Sequence, residues 1–179
     1  MQPLFIATRK FDPSCGKKWD DYVIWTGLSH LNEVVSLDIL LCPTVLPEIL
    51  DIYWGHIIDK DLMLNYFRNL DFLLNQIEGM SNKNILCVYR NPELNSSFAT
   101  CHTEFNFLGF DLIELGTGIS AISNCGGYPD VFENSELSRQ CLVTDHLRAI
   151  EIQSTLRALH PADSHANCDI WAIFRMESP

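Results

Sequence analysis

The sequence predicts an α+β domain, with a mixed or antiparallel sheet of about 4–6 strands and two long helices packed on one face. Three observations point there. Apolar spacing alternates between the helical and the extended period along the chain. Two strand-like runs, NILCVY and FNFLGFDLIEL, follow one another with no helix between them, against strict βαβ alternation. The 179 residues are 47% hydrophobic, and a chain of that size removes roughly 70% of its unfolded surface from water. One globular domain over residues 1–179 is expected, since no repeat and no Pro/Gly/Ser linker divides it.

The elements follow in order. Asp12-Pro13 and Gly16 mark a turn. Residues 17–28 predict a helix, with Trp19, Tyr22, Val23 and Thr26 at three- and four-residue spacing. Residues 33–42 (EVVSLDILLC) are β-rich and end at Pro43, predicting a strand. A short helix is expected through Ile49 and Leu50. Residues 60–78 predict the first long helix, with Leu62, Tyr66, Leu70, Leu73 and Ile77 on one stripe and Gly79 just past its end. Residues 84–89 predict a buried strand. Residues 105–115 predict a long strand with a bulge at Gly109, and 119–123 either another strand or a helix start. Residues 145–159 predict the second long helix, with Thr144 as N-cap and Leu147, Ile150, Leu156 and Leu159 inward. CDIWAIF, 168–174, closes as a strand with Trp171 in the core. Of the other tryptophans, Trp25 and Trp54 are the better candidates for the surface, although burial is the favoured alternative.

Charge narrows the partners. The formal net charge is −11, and it is unevenly spread. Residues 1–90 hold 8 Lys and Arg against 11 Asp and Glu, and residues 91–179 hold 4 against 12. The 48 residues between Arg90 and Arg139 contain no Lys or Arg and seven acids: Glu93, Glu104, Asp111, Glu114, Asp130, Glu133 and Glu136. A uniform spread would put about three basic residues there. Such a surface repels phosphate backbones, so direct nucleic-acid binding is disfavoured. A basic protein is attracted by the same field. Glu104, Glu114, Asp130, Glu133 and Glu136 are the expected partner-binding residues.

Seven cysteines occur at irregular spacing with no C-x-x-C. Together with an N-terminus unlike a secretory signal and no apolar run of membrane-spanning length, they predict a reduced cytoplasmic protein whose thiols, Cys42 and Cys87 among them, act as small buried hydrophobes.

Three constellations carry potential chemistry. In IELGTGISA, Glu114, Gly116 and Gly118 follow a β-like run, and the string resembles the first motif of class I methyltransferases, which implies S-adenosylmethionine binding. It covers about ten residues, and only 58 residues follow Ala121, fewer than that fold's remaining units need. A glycine-rich hairpin is the favoured alternative, and no cofactor is expected. Asn124-Cys125-Gly126-Gly127 offers a nucleophile if a histidine, His102, His146 or His165, stands beside Cys125. A structural cysteine before a glycine turn is favoured over it. His160, His165 and Cys168 lack the paired spacing of structural zinc sites, so no metal is expected.

The leading expectation is therefore a non-catalytic, acidic interaction domain that binds a basic partner. In composition it is similar to bacterial immunity proteins that neutralise nuclease toxins. The alternative is a small enzyme or ligand-binding domain centred on residues 115–127, with a site for S-adenosylmethionine or a nucleotide, or with Cys125 as nucleophile.

Overall fold

Six strands hydrogen-bond in the order β2-β3-β1-β4-β6-β5, every observed pairing antiparallel. They are β1 (Leu4–Arg9), β2 (His56–Asp59), β3 (Leu64–Phe67), β4 (Lys83–Arg90), β5 (Phe105–Glu114) and β6 (Cys168–Met176). Helices α1 (Lys17–Thr26), α2 (Leu70–Gln76) and α3 (His146–Leu159) complete an α+β architecture. The computed structural model describes residues 2–46, 56–59, 64–93, 104–124 and 128–177. The short helix expected near Ile49, and Trp54, lie outside them.

The sheet carries an apolar layer on each face. On one, Phe5, Ala7, Phe110 and Phe174 join Trp19 and Tyr22 of α1, Leu73 of α2, and Ala149, Ile152 and Leu156 of α3. On the other, Ile6, Leu86, Val88, Trp171 and Ile173 meet Val35 and Leu37 from a loop. Buried on both sides, β4 and β6 read as nearly continuous apolar runs, and Trp171 is fully buried.

Several expectations hold closely. α1 ends at Gly27, whose φ of 69° gives the left-handed cap that its N–H to Val23 carbonyl bond requires. The β5–β6 register shifts between Phe107 and Gly109. There a Cβ on Gly109 would stand 2.8 Å from Leu142 Cβ and 2.8 Å from the Val143 oxygen, so glycine admits the neighbouring chain. Phe110 and Ile113 then form isolated bridges with Val143 and Ser120 along the outer side of β5.

Others are corrected. β1 was not foreseen, yet it pairs with both β3 and β4. Residues 33–42 form no strand; only Val34 makes a bridge, to Phe11. Side chains organise that segment instead: Asp38 Oδ1 accepts the N–H groups of Leu40 and Leu41, and Ser36 Oγ accepts that of Asp38. Of the long helix expected over 60–78, residues 60–63 lie outside the described residues, Leu64–Phe67 is strand β3, and Leu70–Gln76 is the helical part of the rest. The Asn69 side chain accepts the Phe72 N–H and starts the helix there. The α3 cap is Asp145, accepting from Arg148 N, rather than Thr144. Leu147 and Leu159 face solvent, and Ala149, Ile152 and Leu156 face the sheet. Residues 119–124 are bridge and turn rather than strand or helix.

Candidate functional site

The five carboxylates expected to bind a partner do not stand together. Glu104 is exposed just before β5, and Glu114 ends the same ten-residue strand, roughly 30 Å away at about 3.3 Å per residue. Glu114 is 4% exposed, with its Oε2 3.2 Å from Nδ1 of His165. The ring lies against the carboxylate without being aligned as a hydrogen-bond donor. Glu114 therefore presents no carboxylate to solvent.

Asp130, Glu133 and Glu136 do share one segment, held along α3. Glu136 accepts Arg148 Nε at 2.5 Å and Nη2 at 3.0 Å, and the same Nη2 reaches the Val131 carbonyl at 2.9 Å. Arg148 holds the Glu136 carboxyl below its ordinary range, with a further contribution from the Glu133 N–H. Asp130 lies 2.8 Å from His160 Nε2 at the other end of α3. Glu133 is exposed and caps the short helical turn Asn134–Glu136 reciprocally with Glu136.

That turn abuts α1. Asn134 Nδ2 donates to the Thr26 carbonyl at 3.4 Å. The preceding residues, Ile24 and Trp25, are 79% and 54% exposed. Trp25 makes an edge contact with Tyr22, whose hydroxyl donates to the Ser123 carbonyl at 2.7 Å. Trp25, for which burial was the favoured alternative, is exposed and lies beside the acidic segment, with exposed Asp21 one turn back on the same helical side.

The glycines after Glu114 reverse the chain. Gly116 and Gly118 have φ of 90° and 68°, and Glu114 N donates to the Ile119 carbonyl while Gly118 N donates to that of Glu114. A strand, glycine loop and helix are what a cofactor phosphate or carboxylate needs; here no helix follows among the described residues 119–124. The turn matches the glycine-rich hairpin. Cys125 and His102 lie outside the described residues. His146 stacks on Phe110 with ring centroids 4.7 Å apart, and burial lowers its pKa.

No family model, curated protein or solved structure matches this chain. Its reading therefore rests on its own residues.

Among the described residues, no three metal-ligating side chains come together, and no helix is long and apolar enough to cross a membrane. Cys15, Cys42, Cys141 and Cys168 are free. Cys87 is not the buried thiol expected, because its sulfur is in a disulfide.

Sequence reasoning missed two groups of polar residues. Tyr128 donates to Asp163 at 2.9 Å and packs its ring 5.0 Å from His160 and 6.1 Å from His165. Asp111 is buried against the loop side of the sheet, accepting from Ser36 Oγ, Ser120 Oγ and Leu112 N. Asp38 accepts Ser120 N at 2.8 Å. These bonds fasten loops 36–41 and 120–123 to β5. The sequence counts Asp111 among the acids of the surface; the structure buries it instead, and its serine partners carry no sequence signature.

Proposed function

We propose that this chain is a protein-interaction domain that captures a basic partner in the cytoplasm and performs no catalysis. One observation carries the reading: Ile24 and Trp25 stand exposed where α1 is tied, through Asn134 and Thr26, to the acidic turn containing Glu133 and Glu136. A large aromatic with an adjacent apolar side chain supplies an anchor, and a carboxylate rim supplies orientation and a fast encounter with cations. Asp21 extends the rim, whereas Asp130, at the other end of α3, and Glu104 and Glu114 take no part. The net charge of −11 supports the sign of the partner. Blocking a basic nuclease, as immunity proteins do, is one activity such a surface serves. Four free cysteines support a reducing compartment; the disulfide at Cys87 weighs against it.

The test is comparative capture from the native host by wild type, Trp25→Ala and Glu133→Lys, followed by association kinetics with the retained protein. A basic partner lost in both variants is expected, with an on-rate falling at least about tenfold between 50 and 500 mM salt. A partner indifferent to both residues, or a salt-independent on-rate, overturns the reading.

A second reading, a small-ligand or enzymatic site around residues 114–128, is favoured by the Glu114–His165 contact. A buried carboxylate beside Nδ1 fixes how the imidazole is turned. Thermal shift against S-adenosylmethionine and nucleotides, with thiol labelling of Cys125 at pH 6–7 in wild type and His165→Gln, separates it from the first.

A further inference from the structure

The sheet forks at one end. β1 stays paired with β4 down to Arg9 opposite Lys83, and β5 stays paired with β6 out to Phe105 opposite Met176. Between these two ribbons, however, the β4–β6 ladder stops at Leu86 opposite Arg175. Lys83, Asn84 and Ile85 therefore have no partner on β6, and a cleft opens where the next rungs would lie. It encloses about 690 Å³, within the range of small-molecule sites. Its walls come from the two prongs, Asn82 to Ile85 on one side and Asn106, Leu108 and Arg175 to Glu177 on the other, with Lys10 and Glu33 at the margin.

The charges in the cleft are three cations against two carboxylates. Arg175 is matched by Glu33, with Nη1 and Oε1 2.6 Å apart. Lys83 Nζ donates to the Met80 carbonyl, and Glu177 accepts from Asn106 Nδ2. Lys10 makes no ion pair among the described residues. One positive charge in excess suits a monoanion and leaves a dianion uncompensated. Met80, Ile85, Leu108 and Met176 supply apolar wall for the rest of a ligand.

Asn84 adds an independent mark. It is 1% exposed, yet neither its amide nitrogen nor its oxygen has a hydrogen-bond partner, and its cross-strand neighbour Thr8 carries an equally unpartnered hydroxyl. A buried amide left in that state opposes folding unless a partner arrives for it. Asn84 lines the cleft at the point of the fork.

We propose that this fork is a binding site for a small organic carboxylate with an apolar body, Lys10 meeting the carboxylate and the Asn84 side chain turning to supply donor and acceptor when the ligand is bound. The site is separate from the docking surface and stands or falls without it. The test is an amide-resolved NMR titration of the whole chain with a panel of alkyl and aryl monocarboxylates, each paired with its own primary amide, and with inorganic phosphate. Carboxylates should shift the Asn84 side-chain, Ile85 and Leu108 resonances and bind at least tenfold more tightly than their amides. Lys10→Gln, a substitution at the margin that leaves the sheet intact, should weaken them at least fivefold with melting temperature unchanged. No shifts at the fork across the panel, equal binding of acids and amides, phosphate binding as well as the best carboxylate, or an unaffected Lys10→Gln would each overturn the assignment.

Discussion

Arg148 grips Glu136 through two guanidinium nitrogens, Nε at 2.5 Å and Nη2 at 3.0 Å, and so pins the acidic segment to the first turn of α3. The pair is partly exposed, each side chain about 30%, and solvent screens it, so truncating Arg148 to alanine is expected to cost about 1 kcal/mol. Glu136 is held below its ordinary pKa of 4.5, principally by the Arg148 hydrogen bond. Its contribution is therefore present above that value and lost as pH falls through the lower, folded one. Urea titrations of wild type and Arg148→Ala should differ at pH 7 and converge in strongly acidic buffer.

Asp111 behaves in the opposite sense. Burial is the leading cause of its rise from 3.8 to about 6, opposed by the hydrogen bonds from Ser120 and Ser36. The folded state then binds more protons than the unfolded state between those values, so stability falls as pH rises from about 4 to about 6. The loss across that window is on the order of 3 kcal/mol. An asparagine can accept from one serine and donate to the other, so Asp111→Asn should fold and lack the slope. An unchanged slope in the variant would assign it elsewhere.

Gly109 and Gly16 make a controlled pair. Both have positive φ, but nothing lies within 4 Å of a Cβ placed on Gly16, whereas one on Gly109 meets Leu142 and the Val143 carbonyl at 2.8 Å. Gly16→Ala is expected to cost about 1–2 kcal/mol, from backbone strain alone. Gly109→Ala should cost at least about 3 kcal/mol, since strain and overpacking add. Chemical denaturation of the two variants gives the comparison directly.

Thiol chemistry should rank the cysteines. Burial is the main cause that pushes the Cys168 thiol up to about 12 and Cys42 well above the ordinary range, so both should resist alkylation in native buffer at pH 8. Cys15 is partly exposed and should react first. Cys87 should label only after reduction and unfolding. Mass-spectrometric mapping reads all four.

The legible parts of the fold were those fixed by local chemistry. The run NILCVY and the closing CDIWAIF are too apolar to be anything but central strands, and Gly109 interrupts an extended run where only a bulge or close contact explains it. β1 was missed because LFIATR is short and its evidence is its neighbours, β3 and β4. Residues 33–42 have strand composition, but Ser36 and Asp38 bond to their own backbone and to Ser120 and Asp111, which tertiary placement alone decides. Tyr66, Leu70, Leu73 and Ile77 keep helical spacing across a boundary that Asn69 enforces. At the surface, tryptophans are so often buried that composition argued against the exposure of Trp25, which the structure shows. The burial of Glu114 was not, because its partner His165 arrives from beyond α3.

The bridges on the outer side of β5 bear on how this molecule behaves when crowded. Val143 exchanges two backbone hydrogen bonds with Phe110, while Leu112 accepts from Ala121 and Glu114 donates to Ile119. From Phe110 onward the terminal strand's peptide groups are already spent on its own chain. A second molecule approaching that border finds no template on which to extend the sheet, so growth into fibrils or strand-exchanged dimers is blocked there by connectivity rather than by charge.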